Sequence, residues 1–329
     1  MLRTRLSSLL GVDYPIISAP MALHSDGPLA AAVSLGGGLG TFGAAGPLVG
    51  PEFVREQINT IRTRTDRPFG VGFLTHLLEV DRENFDLAIS EKVPVIAFSF
   101  ADPRPWIGIA KKSEATVICQ VHTVETARAA ASAGADVLVA QGNEAGGHAG
   151  QRNLLPFLCT LVKEFPGIPI VAAGGIASGR SLAAVLGAGA EGAWMGTAFL
   201  ATSEAPVSHE LKDLIVRSTA EDTVYTSLFD KFFELKRGAP SWPAEIAARV
   251  YKSSFASKWI GRERELESHL SEVASDMESS PDPLAFFGES ASFIHQIQSA
   301  ENVIRSICSD AAKLLSERAQ HNVAFQLDS

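Results

Sequence analysis

Through its first two hundred residues the chain alternates between short runs that are apolar at nearly every position and longer stretches whose apolar residues recur every three to four positions. The short runs are residues 14–19, 39–43, 69–74, 93–98, 115–121, 136–141, 168–173 and 192–196. Runs that are apolar on both faces suit parallel strands covered by helices on either side. Eight strand-then-helix units in about 200 residues predict a closed (β/α)8 barrel rather than an open sheet. The intervening stretches carry helix signals that agree. Thr123 can cap a helix with Glu125 in its first turn and Gly134 past its end, and 178–187 repeats the form with Leu182, Val185 and Leu186 on one face.

The texture changes after residue 202. Twenty-five of the 28 glycines precede residue 197, and from Ser203 onward acidic residues outnumber basic ones by 20 to 13. The pattern there predicts charged amphipathic helices over 226–237, 243–253, 263–277 and 292–318. In the last of these Ile294, Ile297, Ile304, Ile307 and Leu314 form a packing stripe. The expected division is a barrel over 1–202 and a helical region over 203–329 that covers it.

Composition narrows the function. A chain of 329 residues with 46% hydrophobic and 20% charged residues is globular. A net charge of -9, without a Lys/Arg run interleaved with aromatics, speaks against a nucleic-acid or anionic-membrane partner. No apolar run is long enough to span a bilayer. Cys119, Cys159 and Cys308 are far apart and lack zinc or disulfide spacing, which points to a reducing, cytoplasmic setting; Cys119, inside a strand run, reads as a core thiol. The expected partners are small molecules, and association of several copies is left open.

In such a barrel the chemistry lies at the C-terminal strand ends. After the seventh run stand Gly174 and Gly175, and after the eighth Trp194, Met195, Gly196 and Thr197, loops whose backbone can approach a phosphate closely. After the sixth comes Gln141, then a glycine loop with Gly146, Gly147 and a single histidine, His148. An imidazole, with its ordinary pKa of about 6.5, is suited to removing a carbon-bound proton at neutral pH. His24, His76 and His122 also follow strand runs, but no His-x-His pair or carboxylate at ligand spacing accompanies them, so a metal is not expected. No lysine ends a strand run, which argues against a Schiff-base aldolase.

The ordered set Pro15-Ile16-Ile17-Ser18-Ala19-Pro20-Met21, Gly37-Gly38-Leu39-Gly40, Glu144-Ala145-Gly146-Gly147-His148, Ala173-Gly174-Gly175-Ile176 and Trp194-Met195-Gly196-Thr197 resembles the FMN-dependent nitronate monooxygenases, over almost the whole chain. Phe287-Gly288-Glu289-Ser290-Ala291 is similar to that family's late glycine segment. The resemblance implies FMN with its phosphate at Gly175 and Trp194 through Thr197, and Pro20 and Met21 beside the isoalloxazine. It further implies that Gln141 and Gly146 line the pocket, that Gly72 and Gln120 face the flavin, and that His148 is the catalytic histidine. The implied reaction oxidises an alkyl nitronate, or a nitroalkane deprotonated by the histidine, with O2 to a carbonyl compound and nitrite. Ser18 and Gly72 depart from the Gln and Asn common in the family, which bears on substrate more than on cofactor. Two other readings stand beside this one: a flavin-dependent NAD(P)H enoyl-thioester reductase, and a flavin-free phosphate-binding barrel. No GxGxxG turn suggests a dinucleotide, so FMN is expected and FAD is not.

Overall fold

The protein is described by a computed structural model over residues 2–238 and 241–320. Eight strands, β1 (Ile16–Ser18), β2 (Gly40–Gly43), β3 (Phe69–Leu74), β4 (Val95–Ser99), β5 (Thr116–Val121), β6 (Val137–Gln141), β8 (Ile170–Ala173) and β9 (Gly192–Met195), match the eight expected runs. They form one parallel sheet in the order β1-β9-β8-β6-β5-β4-β3-β2, and β7 (Gly147–Ala149) belongs elsewhere. The seam between β1 and β2 is closed by a few bonds. Leu39 N–H donates to Ile16 O (2.9 Å) and Ser18 N–H to Leu39 O (3.0 Å). The buried Ser18 hydroxyl accepts from Thr41 N–H at 2.9 Å, and the Thr41 hydroxyl donates back to Ser18 O. Ser18 is thus occupied in closing the barrel and does not face the cavity described below.

Seven outer helices follow their strands: α2 (Gly27–Leu35), α3 (Pro51–Arg64), α4 (Glu83–Ser90), α5 (Arg104–Lys112), α6 (Val124–Ser132), α7 (Leu154–Glu164) and α8 (Gly179–Gly187). The expected caps of α6 and α8 are present, Thr123 and Ser178 each closing a reciprocal capping box. Two layers of apolar packing result. Ile17, Leu39, Ile118, Val139, Val171 and Trp194 fill the barrel interior, plugged from below by Leu6 and Leu10 of α1 (Arg5–Leu10). The alternate strand residues meet the helices.

After β9 come α9 (Thr197–Leu200), α10 (His209–Arg217), β10 (Thr223–Thr226), α11 (Leu228–Arg237), β11 (Ala247–Tyr251), α12 (Ser254–Trp259), α13 (Leu270–Ser279) and α14 (Ala300–Gln320). The helix expected over 243–253 is a strand instead. β11 pairs antiparallel with both β10 and β7, and its Ala248 and Val250 enter a separate small core with Leu228, Phe232, Phe255 and Trp259. Period-two burial overrode what single-sequence spacing suggested. The last helix begins at residue 300 rather than 292, because the Glu204 carboxylate, from far back in the chain, accepts from Ala300 N–H (3.1–3.2 Å) and caps it there. The helix expected from 263 begins at 270, after turns. α14 packs against α8 and α2, in the place of the eighth outer helix. Residues 321–329 of the expected covering region lie outside the described residues. None of the described helices is long and apolar enough to cross a membrane.

Candidate active site

The strand ends open into a cavity of about 350 Å3 whose floor includes Trp194, the top of the interior core. Pro20, Met21, Gln120, Gln141, Gly146, Gly147 and His148 line it, as do Gly174, Gly175, Met195, Gly196 and Thr197. Gly72 does not. A Cβ there would lie 2.3–2.4 Å from the Pro20 ring, so the bare glycine makes room for Pro20, which itself faces the cavity. Ile176, Phe100, Trp242 and Phe286 add apolar wall, and among the described residues no Lys, Arg, Asp or Glu lines the cavity.

Two loops make the part suited to a phosphate. Gly174 (φ +108°) and Gly175 (φ +68°) run in the left-handed region that glycine tolerates, and a Cβ on Gly175 would meet only Glu144 Cβ at 3.6 Å. Among the described residues the N–H groups of Gly175 and Ile176 have no hydrogen-bond acceptor. On the adjoining loop, Thr197 Oγ1 accepts from Gly288 N–H (2.9 Å), which leaves its own proton to donate. Backbone donors and a hydroxyl, without a cation, fit one terminal phosphate at the edge of the cavity. The late glycine segment forms the lid of this corner. Gly288 and Gly146 touch backbone to backbone, a Cβ on either falling 2.4–2.6 Å from the other's chain, and Glu289 N–H donates to Glu144 O (3.0 Å). Glu144 itself turns its carboxylate to Leu154 N–H (3.0 Å), at the start of α7, and so serves the loop's shape.

Along one wall of the cavity runs a chain of hydrogen-bonded polar side chains. Ser99 Oγ donates to Gln120 Oε1 (2.9 Å), Gln120 Nε2 to Gln141 Oε1 (2.6 Å), and Gln141 Nε2 to the carbonyl of His148 (3.2 Å). His122 Nε2 also meets Gln141 Oε1 at 2.7 Å. Burial pushes the His122 imidazole down to about 4, so it is a neutral donor that fixes Gln141 rather than a base. His76 is held below its ordinary value by burial and then by His148; it packs on Trp242 (4.8 Å between rings) outside the cavity. His24 reaches the cavity with its Nδ1 bonded to Ala22 O (2.8 Å).

His148 differs from these. It lies in β7, a strand that exists because residues 147–149 pair with 247–249 of β11, His148 opposite Ala248. Tyr225 Oη–H secures the same strand at Ala149 O (2.8 Å), and the buried Arg249 reaches Asn143 O (2.7 Å), Thr223 Oγ1 (3.0 Å) and Glu289 (3.0 Å). The His148 ring stacks on Trp242 (3.5 Å between centroids, 12°), and its Nε2 lies 2.8 Å from Asp230 Oδ1. Phe100, in the left-handed region at φ +65°, sets its ring between His122 and Trp242, 5.0 Å from each. Asp230 and Trp242 escaped the sequence reading, because each resembles an ordinary residue of a charged, amphipathic segment. Phe100 had a signal, its place directly after the fourth strand.

Known proteins agree with this architecture. The nitronate monooxygenase family model matches residues 3–84 and 75–310. A probable nitronate monooxygenase of Staphylococcus aureus strain JH9 is 35% identical over 272 residues, covering 69% of this chain and 76% of that protein. Among solved structures, FabK from Thermotoga maritima superposes with a TM-score of 0.84 at 30% identity, covering 98% of this chain and 100% of FabK. Nitroalkane oxidase from Streptomyces ansochromogenes gives 0.76 at 28%, covering 94% and 99%. A match that runs nearly from end to end, on a barrel whose strand-end loops carry the glycine motifs and His148, means that the chain belongs to the nitronate monooxygenase family and is an oxidoreductase.

Proposed function

We propose that the protein is an FMN-dependent oxidase of alkyl nitronates, acting also on neutral nitroalkanes, with O2 as the oxidant and a carbonyl compound and nitrite as products. The observation that carries this reading is a candidate base, His148, paired with a carboxylate on the wall of an apolar cavity that joins a glycine corner. Bound there, FMN supplies the two-electron acceptor that O2 later reoxidises. The N–H groups of Gly175 and Ile176 and the Thr197 hydroxyl would hold its phosphate, while Pro20, Met21, Gln120, Gln141 and Gly146 would bound its ring. His148 takes the proton from the carbon bearing the nitro group, the C–H electron pair remaining on the resulting nitronate. The uncharged wall of Phe100, Trp242 and Phe286 favours an alkyl chain over a carboxylated one, because a buried carboxylate would find no cation. On this reading residues 1–202 hold the cofactor and the segment after 202 covers it.

The test uses the purified protein without air. Propyl-1-nitronate should bleach the flavin spectrum, and heat should release FMN. Rapid bleaching by NADH instead, with nitronate inert, would hand the chain to the enoyl-thioester reductase reading toward which the similarity to FabK points. Colourless protein that cannot be reconstituted would leave the flavin-free barrel. In the coloured enzyme, His148→Ala should lower turnover of a neutral nitroalkane by about 100- to 10,000-fold and affect the pre-formed nitronate much less.

A further inference from the structure

The carboxylate that meets His148 comes from the covering region, and nothing about stability explains it. Asp230 stands in the first turn of α11, a helix fixed by Leu228, Phe229 and Phe232 in the small core. Its Oδ2 is buried without a hydrogen-bond partner, and among the described residues no Lys or Arg pairs with it. A carboxylate so placed costs stability unless a donor faces it. The partner is an imidazole at 2.8 Å, with both side chains less than one fifth exposed.

The chemistry of the contact fixes a direction. A carboxylate can only accept, so His148 donates through Nε2–H and carries its lone pair on Nδ1. The Trp242 ring stacked on the imidazole opposes a rotation about Cβ–Cγ that would replace Nε2 at the carboxylate with Cε1. We propose that Asp230 is the positioning residue of His148: it selects the Nε2–H tautomer, directs Nδ1 as the base, and stabilises the imidazolium formed when Nδ1 takes the carbon-bound proton. The C–H bond breaks, its electron pair stays on the nitronate, and the new N–H positive charge is balanced by the carboxylate.

This rests on the reading of His148 as the base, and the experiment separates the two. Asp230→Asn and His148→Ala are assayed as flavin-loaded enzymes on 1-nitrobutane and on its pre-formed nitronate. Asp230→Asn should lower kcat on 1-nitrobutane by about 10- to 100-fold, part of the general-base effect. It should leave the nitronate within about 3-fold and flavin content unchanged, and the primary deuterium isotope effect on 1-nitrobutane should rise. An equal fall on both substrates would make Asp230 merely structural and overturn the proposal. No change in Asp230→Asn, with His148→Ala still selective for the neutral substrate, overturns the proposal and leaves the base in place. Unaltered nitroalkane turnover in His148→Ala overturns both. If Asp230→Asn does not fold, 15N NMR of histidine-labelled wild-type enzyme decides: Nε2–H at His148 is expected, and Nδ1–H overturns the assignment.

Discussion

The barrel's strand ends and the segment over them build their halves of the cavity by different means. The cradle is local: Gly174 and Gly175 follow β8 directly, Gly196 and Thr197 follow β9, and those strands are neighbours in the sheet. The histidine's surroundings are distant. His148 meets Asp230 across 82 residues, and β7 hangs from a strand 100 positions later. The glycine corner therefore depends on backbone shape, which a few glycines set, whereas the setting of His148 depends on docking, which the whole small sheet sets. Cofactor retention and proton removal should be separable by mutation.

The largest separation is expected from the cradle. In Gly175→Asp a side chain must enter at φ +68° with its carboxylate facing the phosphate, so flavin content should collapse while far-UV circular dichroism stays native. Normal flavin occupancy would show that the cradle is elsewhere. Next in size is an effect of pH on the barrel side. Burial holds the His122 imidazole at about 4, so the folded state disfavours its protonation and the unfolded state does not. Its contribution is complete above pH 6.5 and lost as pH falls toward 4, a difference of about 3 kcal/mol. Urea midpoints at pH 7 and 4.5 should therefore diverge more for wild type than for His122→Gln; equal divergence would mean that His122 titrates freely. Gly288→Ala comes third. A Cβ 2.5 Å from Glu144 O and 2.6 Å from Gly146 N must push the lid segment away, costing about 1–3 kcal/mol. Turnover should fall further than flavin content, and thermal unfolding with and without added FMN reads this out. The smallest change is Tyr225→Phe, which removes the hydroxyl from Ala149 O and should cost about 0.5–1.5 kcal/mol. A few-fold loss on nitroalkane with unaltered flavin affinity is expected; loss of flavin instead would erase the division between the two halves.

That division also explains what could be read from the sequence. Every barrel strand was legible, because a strand buried on both faces is apolar at most positions and needs no knowledge of its partner. That the glycine loops and His148 meet at one cavity was legible from strand-end position and glycine content. The strand at 247–251 was not, since Ala248 and Val250 alternate with Arg249, whose charge is neutralised by Glu289 and by acceptors on two other segments. Asp230 was hidden for the same reason, because its significance lies in a residue 82 positions earlier.

The pairing of β7 with β11 also imposes an order on the protein's birth. A ribosome adding about 5–20 residues per second needs about 5–20 s to pass from the histidine to its partner strand. In the later part of that interval residues 174–197 have been made, while the three-residue strand that carries His148 still waits, unpaired, for its partner. A chain cut short in that window would also lack Gly288, which roofs the glycine corner, and α14, which stands as the eighth outer helix, so both halves of the cavity are completed only by the end of the chain.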